Sequence, residues 1–312
     1  MRAWLAYAIV VLVWGSTYLV VLYGLESFTP PGLVSVRFAC AGAIALLIGR
    51  ARRESLPTRR ECAHLALVGA LLLGACNMLV VWSEDEGRLS SGMAAVLCAL
   101  VPLWLCLQSM RSEPLGRRAW VCVGLGFAGV VLLMRPWREF GGELEGGLAI
   151  VLSTAIWAWG TLHAKRYVRG GGTLTNAGLQ MLAGALVASA VAGLGTGWRS
   201  GELTPRALYG LAYLVLFGSV LAFSAYGYLA RAWPAARMGT YAYLNPLVAV
   251  ALGCWLAGER FDLELALGIA LILLPVALLQ RTRAPLVLSA ASEPLPPALA
   301  EPEPASSGAR AS

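Results

Sequence analysis

Charge is what this chain has least of. Asp, Glu, Lys and Arg make up 13 % of its 312 residues, about half the share in ordinary soluble domains. A globule dissolved in water is excluded. Histidine is almost missing, and His64 and His163 alone cannot build a multi-histidine metal cluster. The seven cysteines (40, 62, 76, 98, 106, 122, 254) are odd in number and contain no C-x-x-C. They point to neither a disulfide framework nor a zinc site. The single lysine, Lys165, stands between Ala164 and Arg166. The Gly-Lys-Ser/Thr of a phosphate-cradling loop is therefore absent, and so is a Gly-x-Ser-x-Gly elbow. Gly193-Leu-Gly-Thr-Gly197 resembles a nucleotide turn, but it closes an apolar run instead of following a strand. Glu84, Asp85 and Glu86 form an acidic group in a short loop, where solvated charge is the usual explanation. The sequence thus names no catalytic group, cofactor or metal, and an enzyme is not expected.

What the chain has is apolar length. Hydrophobic residues reach 58 %, gathered into ten stretches near 3–23, 31–49, 63–82, 92–110, 119–134, 147–164, 174–194, 207–229, 236–257 and 263–280. Each approaches the ~20 residues that a helix needs to cross the hydrocarbon core. Segments such as Ala66–Leu73 lack the alternation of a spanning strand, so the expected class is an all-α, multi-pass membrane protein. With the N-terminus taken as cytoplasmic, 17 of the 24 Lys and Arg residues fall on the inner side. Six lie outside (Arg88, Arg135, Arg138, Arg199, Arg206, Arg260), and Arg37 lies within the second stretch. That asymmetry satisfies the positive-inside rule with both termini cytoplasmic. It also accounts for the net charge of +7 without any nucleic-acid partner. The first stretch is too long for a signal-peptide core and no small-residue cleavage site follows it, so it is expected to be retained. The Pro/Ala/Ser/Glu-rich segment 284–312 is expected to be a disordered cytoplasmic tail.

The second five stretches repeat the first five. Pro102 in Val-Pro-Leu and Pro246 in Asn-Pro-Leu are 144 residues apart, as are Gly74 and Gly218, and Gly124 and Gly268. Five is odd, so the second repeat must enter the membrane upside down, related to the first by a pseudo-two-fold axis in the membrane plane. The expected units are a first repeat at 1–139, a second at 140–283 and the tail at 284–312.

Several segments, in order, carry a resemblance. They are Trp14-Gly-Ser-Thr-Tyr18, Val36-Arg-Phe38, Asn77 to Trp82 with Glu84, Ser91-Gly-Met-Ala-Ala95, Val101-Pro-Leu103 and Gly124-Leu-Gly-Phe-Ala-Gly129. The second half adds Trp157-Ala-Trp-Gly160, Phe217-Gly-Ser219, Thr240 to Pro246 and Gly258-Glu259. In these the chain resembles the drug/metabolite transporter superfamily, specifically its EamA-type ten-helix members. The resemblance implies two inverted five-helix EamA repeats around a central cavity, with helices five and ten at the periphery. It also implies export of small metabolites or drugs, with Glu84 or Glu86 as the family's glutamate.

Candidate site residues follow from spacing. Trp14, Thr17 and Tyr18 share one face of helix one at i, i+3 and i+4, and Trp157 with Thr161 does so in helix six. Tyr241 and Asn245 point together just before Pro246, and Asn77 adds an amide in helix three. Rings with polar tips suit a cavity for partly apolar ligands. Trp159 and His163 fit an interfacial belt as well as a site. Pro102 and Pro246 are candidate kinks, and Arg37, about six residues into helix two, is a candidate gate. Snorkelling to the outer interface is the structural alternative for Arg37. Gly124 and Ala128 read as a close-packing face. The expected activity is secondary transport, exporting a small amphipathic, amino-acid-like molecule by alternating access, with the lipid bilayer as surroundings and protons as the default coupling ion. The alternatives are a nucleotide-sugar or sugar-phosphate carrier, disfavoured by a single intramembrane cation, and a non-transporting subunit of a lipid-modifying assembly. The sequence leaves the substrate and the oligomeric state open.

Overall fold

The computed structural model describes residues 2–108, 117–134, 142–232 and 241–283. Among them every element is helical apart from one isolated bridge between Phe28 and Arg199. The helices are α1 (Arg2–Leu25), α2 (Pro30–Ala51) and α3, which runs through Arg59–Gly69, Ala70–Cys76 and Asn77–Glu84. Next come α4, in two pieces (Ser91–Cys98 and Val101–Gln108), and α5 (Arg117–Met134). The second half has α6 (Gly142–Tyr167), α7 (Thr173–Val191, widened over Ala192–Thr196) and α8, in three parts (Pro205–Tyr213, Leu214–Leu221, Ala222–Ala232). It ends in α9 (Tyr241–Leu256) and α10 (Leu263–Arg283). Six of these are long and apolar enough to cross a bilayer, and four shorter apolar helices complete the set. The 284–312 tail and the expected repeat boundary at 139/140 lie outside the described residues.

Local sequence sets the helix ends. Thr29 accepts a hydrogen bond from the Gly32 amide, with Pro30 and Pro31 in the first helical positions, where a missing N–H costs nothing. Thr58 and Glu61 form a reciprocal capping box at the start of α3. Thr204 accepts from the Ala207 amide at the start of α8, again followed by proline. Gly197, at φ +72°, turns the chain out of α7 in a conformation that favours glycine.

Packing shows the repeat directly. Each of α2, α4 and α5 packs against its counterpart five helices later, α7, α9 and α10. The other pairings come in equivalent sets: α1 packs on α8 and α9, as α6 packs on α3 and α4. Described connections of the two halves are tied together in pairs. Ser27 donates to the Glu202 carbonyl at 2.6 Å and Glu26 pairs with Arg206 at 3.0 Å, tying the α1–α2 turn to the α7–α8 turn. Glu54 and Glu61, in the α2–α3 region, accept bonds from Thr175, Arg169 and Gly170 in the α6–α7 region. Within α3 and α8 the helix widens into π-type turns. The one beginning at Leu214 lies 144 positions after the one beginning at Ala70, the same offset that relates the prolines.

Small residues let α2, α3 and α7 approach closely, as membrane helices do where backbones pack without bulky intermediaries. A Cβ on Gly42 would meet the Gly178 carbonyl at 3.0 Å, and one on Gly69 would run into the Gln180 backbone. The expected close-packing face of α5 is corrected here. A Cβ on Gly124 would meet nothing within 4 Å, and Ala128 is exposed. Gly126 and Gly129, packed on Leu103 and Ile272, do that work instead. Pro102 and Pro246, equivalent in sequence, act differently. Pro102 stands second in the new piece of a helix broken after Cys98, whereas Pro246 sits inside a continuous α9.

Candidate functional site

The two halves meet through rings. Trp14 of α1 donates from its indole Nε1 to the Gly218 carbonyl of α8 at 3.1 Å. Its ring lies 5.5 Å from Phe223, 5.3 Å from Tyr226 and 5.3 Å from Tyr241, centroid to centroid. Tyr226 and Tyr241 in turn meet edge to face at 5.9 Å. One ring from the first repeat is thus bracketed by three from the second. The π-type turn makes the anchoring bond available, because widening a helix releases a carbonyl from its usual partner.

Other candidates lie around this cluster. Asn245, buried, has its amide oriented to donate to the Tyr241 carbonyl at 3.1 Å and the Val11 carbonyl at 3.3 Å, which ties α9 to α1. Thr17 donates to the Trp14 carbonyl at 2.7 Å. Tyr18 packs toward the α4–α5–α10 core, as does Cys98 of α4. Arg37 is buried, not snorkelling. Its Nε donates to Ser219 Oγ at 3.1 Å, and its guanidinium lies 4.8 Å from the centroid of the Phe38 ring.

Three candidates stand apart from the rings. Asn77 donates to the Leu72 carbonyl at 2.9 Å, closing the wide turn of its own helix. Trp157 packs into the core formed by α2, α3 and α7, and Thr161 donates to the Trp157 carbonyl at 2.8 Å. Trp159 is exposed on the outer surface of α6, as an interfacial residue would be, and stacks on His163 at 4.9 Å. His163 meets His64 at 3.1 Å, a cross-repeat pair that residue spacing gave no means of seeing.

The acidic group behaves differently from the expectation of solvated charge. Asp85 and Glu86 do lie on the loop side, within 3.8 Å and 2.7 Å of Arg88. Glu84, the last residue of α3, is buried, and neither carboxyl oxygen has a hydrogen-bond partner among the described residues. It is close enough to Glu259 and Tyr18 to interact with them electrostatically. Glu259 itself is fully engaged. Its oxygens accept from the Ser91 amide at 2.8 Å, the Ser91 hydroxyl at 2.7 Å and the Gly92 amide at 3.1 Å, capping α4 from the other repeat. An open apolar groove of about 470 Å³ lies elsewhere, between α9 and α10, lined by Leu247, Val250, Cys254, Phe261 and Ile269 among others.

An all-α, multi-pass membrane protein of two inverted five-helix repeats, with polar and aromatic side chains gathered where the halves meet, has the build of a transporter. The EamA-like transporter family matches the chain twice, over residues 1–135 and 144–281. The chain belongs to that family. It is 36 % identical over 262 residues to the inner membrane transporter YedA of Escherichia coli (strain K12), covering 83 % of this chain and 84 % of that one. It is 30 % identical over 246 residues to the protein PecM of Dickeya dadantii (strain 3937), covering 77 % and 80 %. A solved crystal structure shares the fold, with a TM-score of 0.61 at 20 % identity over 90 % of this chain and 98 % of its own.

Proposed function

We propose that the protein is a secondary carrier of the bacterial inner membrane, with both termini cytoplasmic. It exports a small amphipathic metabolite by alternating access and catalyses no reaction. The observation that carries this reading is Trp14 of one repeat enclosed by Phe223, Tyr226 and Tyr241 of the other. Inverted-repeat carriers hold their ligand where the repeats meet, and rings there offer a face to an apolar body. A gradient must drive transport, since the sequence carries no ATP-binding loop. Glu84 is our candidate to take up and release a coupling proton, because a buried carboxyl with no hydrogen-bond partner among the described residues gains nothing structurally from being there. Metabolite profiling of medium from overexpressing and deletion strains tests the reading. One compound should accumulate outside the overexpressing cells and fall in the deletion strain, and no difference between the media would refute export.

A further inference from the structure

Arg37 holds a charge that no described residue balances with an ion pair. Among the described residues it is the only basic side chain more than a turn from a helix end, and it makes no ion pair. Among the described residues its one hydrogen bond leaves from Nε to a neutral hydroxyl, Ser219 Oγ, and neither terminal nitrogen has a partner. Neither of them is among the sealed, unbonded atoms of the interior, which the Glu84 oxygens are. A guanidinium at this depth is costly in a bilayer and is found facing a partner or a polar space. A serine dipole fixes its direction without neutralising it.

That direction is toward the rings. Gly218 connects the two features: its carbonyl accepts the Trp14 indole, and a Cβ on it would stand 3.4 Å from Arg37 Nη2 and 3.0 Å from Thr17 Cγ2. The guanidinium therefore borders the same wide turn that anchors the aromatic cluster. We propose that Arg37, oriented by Ser219, is the subsite for the carboxylate of a monoanionic substrate whose apolar body packs among Trp14, Phe223, Tyr226 and Tyr241. The inference rests on the carrier reading in taking the ring cluster as the place where ligand sits. A single cation matches a single negative charge, whereas a phosphate monoester brings about −1.5 to −2. The planar fork of arginine also suits the two oxygens of a carboxylate.

The test uses the full chain, purified into lipid nanodiscs, and two probes of one shape: indole-3-propionate and its uncharged amide. Calorimetric titration of the wild type should show the acid bound about tenfold or more tightly than the amide. Arg37→Gln should abolish that preference while leaving amide affinity in place. Arg37→Lys should keep part of it, because the charge remains and the fork is lost. Should Arg37→Gln fail to fold, Arg37→Lys and Ser219→Ala carry the test, each expected to shrink the acid-to-amide ratio several-fold. A purely structural arginine would move both probes together. An unchanged ratio in the variants, or no measurable or preferential binding of the acid by the wild type, overturns the inference. Flux through proteoliposomes separates the two claims. Charge-selective binding without passage of either probe would sink the carrier reading and leave the anion subsite standing. Passage of both probes at rates that Arg37→Gln does not alter would do the reverse.

Discussion

Replacing Glu84 by leucine should make the protein more stable and stop proton-coupled transport. Both carboxyl oxygens of Glu84 are buried with no hydrogen-bond partner among the described residues, in a residue only 2 % exposed. A buried polar atom without a partner costs roughly 1–3 kcal/mol relative to one that keeps its hydrogen bonds. The two oxygens share one carboxyl, so about 2 kcal/mol is the sensible total. Leucine removes that cost, and imperfect fit of the branched side chain returns about half, since shape changes in a packed interior cost up to ~1.5 kcal/mol. The net gain should be about 1 kcal/mol, or a rise of about 2–4 °C in Tm for a domain of this class. Glu84→Gln keeps two polar atoms in the same place and should change stability little. Neither variant can carry a proton. Thermal unfolding of the three purified proteins in one detergent gives the stability order. Substrate flux in proteoliposomes under an imposed pH gradient gives the coupling. A leucine variant less stable than wild type by 1 kcal/mol or more would show that the carboxyl has partners that favour the fold. Gradient-driven flux that survives in both variants would remove Glu84 from the coupling step.

Trp14→Ala deletes three ring contacts and the bond to the Gly218 carbonyl, so substrate affinity should fall about tenfold, with ring pairs worth roughly 0.5–1.5 kcal/mol each. Leu274→Ala, on a lipid-exposed face, is the control and should leave affinity unchanged in the same titration; an equal loss there would dismiss the ring cluster as the site. Gly69→Ala should lower the yield of folded, monodisperse protein in size-exclusion chromatography, because a methyl there meets the Gln180 backbone, which cannot step aside as a flexible side chain would. Reporter fusions at 55–59, at 165–170 and after Arg283 should report cytoplasm, and those at 26–30, 84–90 and 199–205 the outside; an external C-terminus would contradict the proposed orientation.

The fold was legible because its strongest constraint is written at low resolution. Ten apolar runs and a repeat of 144 residues need only composition and register, and the bilayer permits little besides helices for such runs. Finer features depend on where a side chain turns, which spacing alone does not decide. Glu84 reads as one of three loop acids, yet α3 ends on it, so it points inward while Asp85 and Glu86 reach Arg88. Asn77 carries the amide expected of a lining residue and spends it on its own helix. Gly124 matches Gly268 in register but faces away from the helix partner, and the packing falls to Gly126 and Gly129. Phe223 and Tyr226 are rings of the eighth apolar stretch. They stand three apart on α8, the spacing that singled out Trp14 and Thr17, but in a run so apolar that two more rings carry no mark of their own.

The two wide turns show where the symmetry of the halves stops. They begin 144 residues apart, so the backbone feature belongs to the repeat itself. In α3 the Leu72 carbonyl is met by Asn77 of the same helix, while Cys76, the last residue of the turn, exchanges hydrogen bonds with Ser153 of α6 in the other half. In α8 the Gly218 carbonyl is met by Trp14, from α1 of the opposite repeat. Both wide turns thus reach the other half, the one in α3 through Cys76 and Ser153 and the one in α8 through Gly218 and Trp14. Under the proposed alternating access, parting α8 from α1 would break the Trp14–Gly218 bond and separate the rings around it, and parting α3 from α6 would break the bonds between Cys76 and Ser153. A ligand seated beside Arg37 and Ser219 would be placed to supply contacts as the Trp14–Gly218 bond is lost.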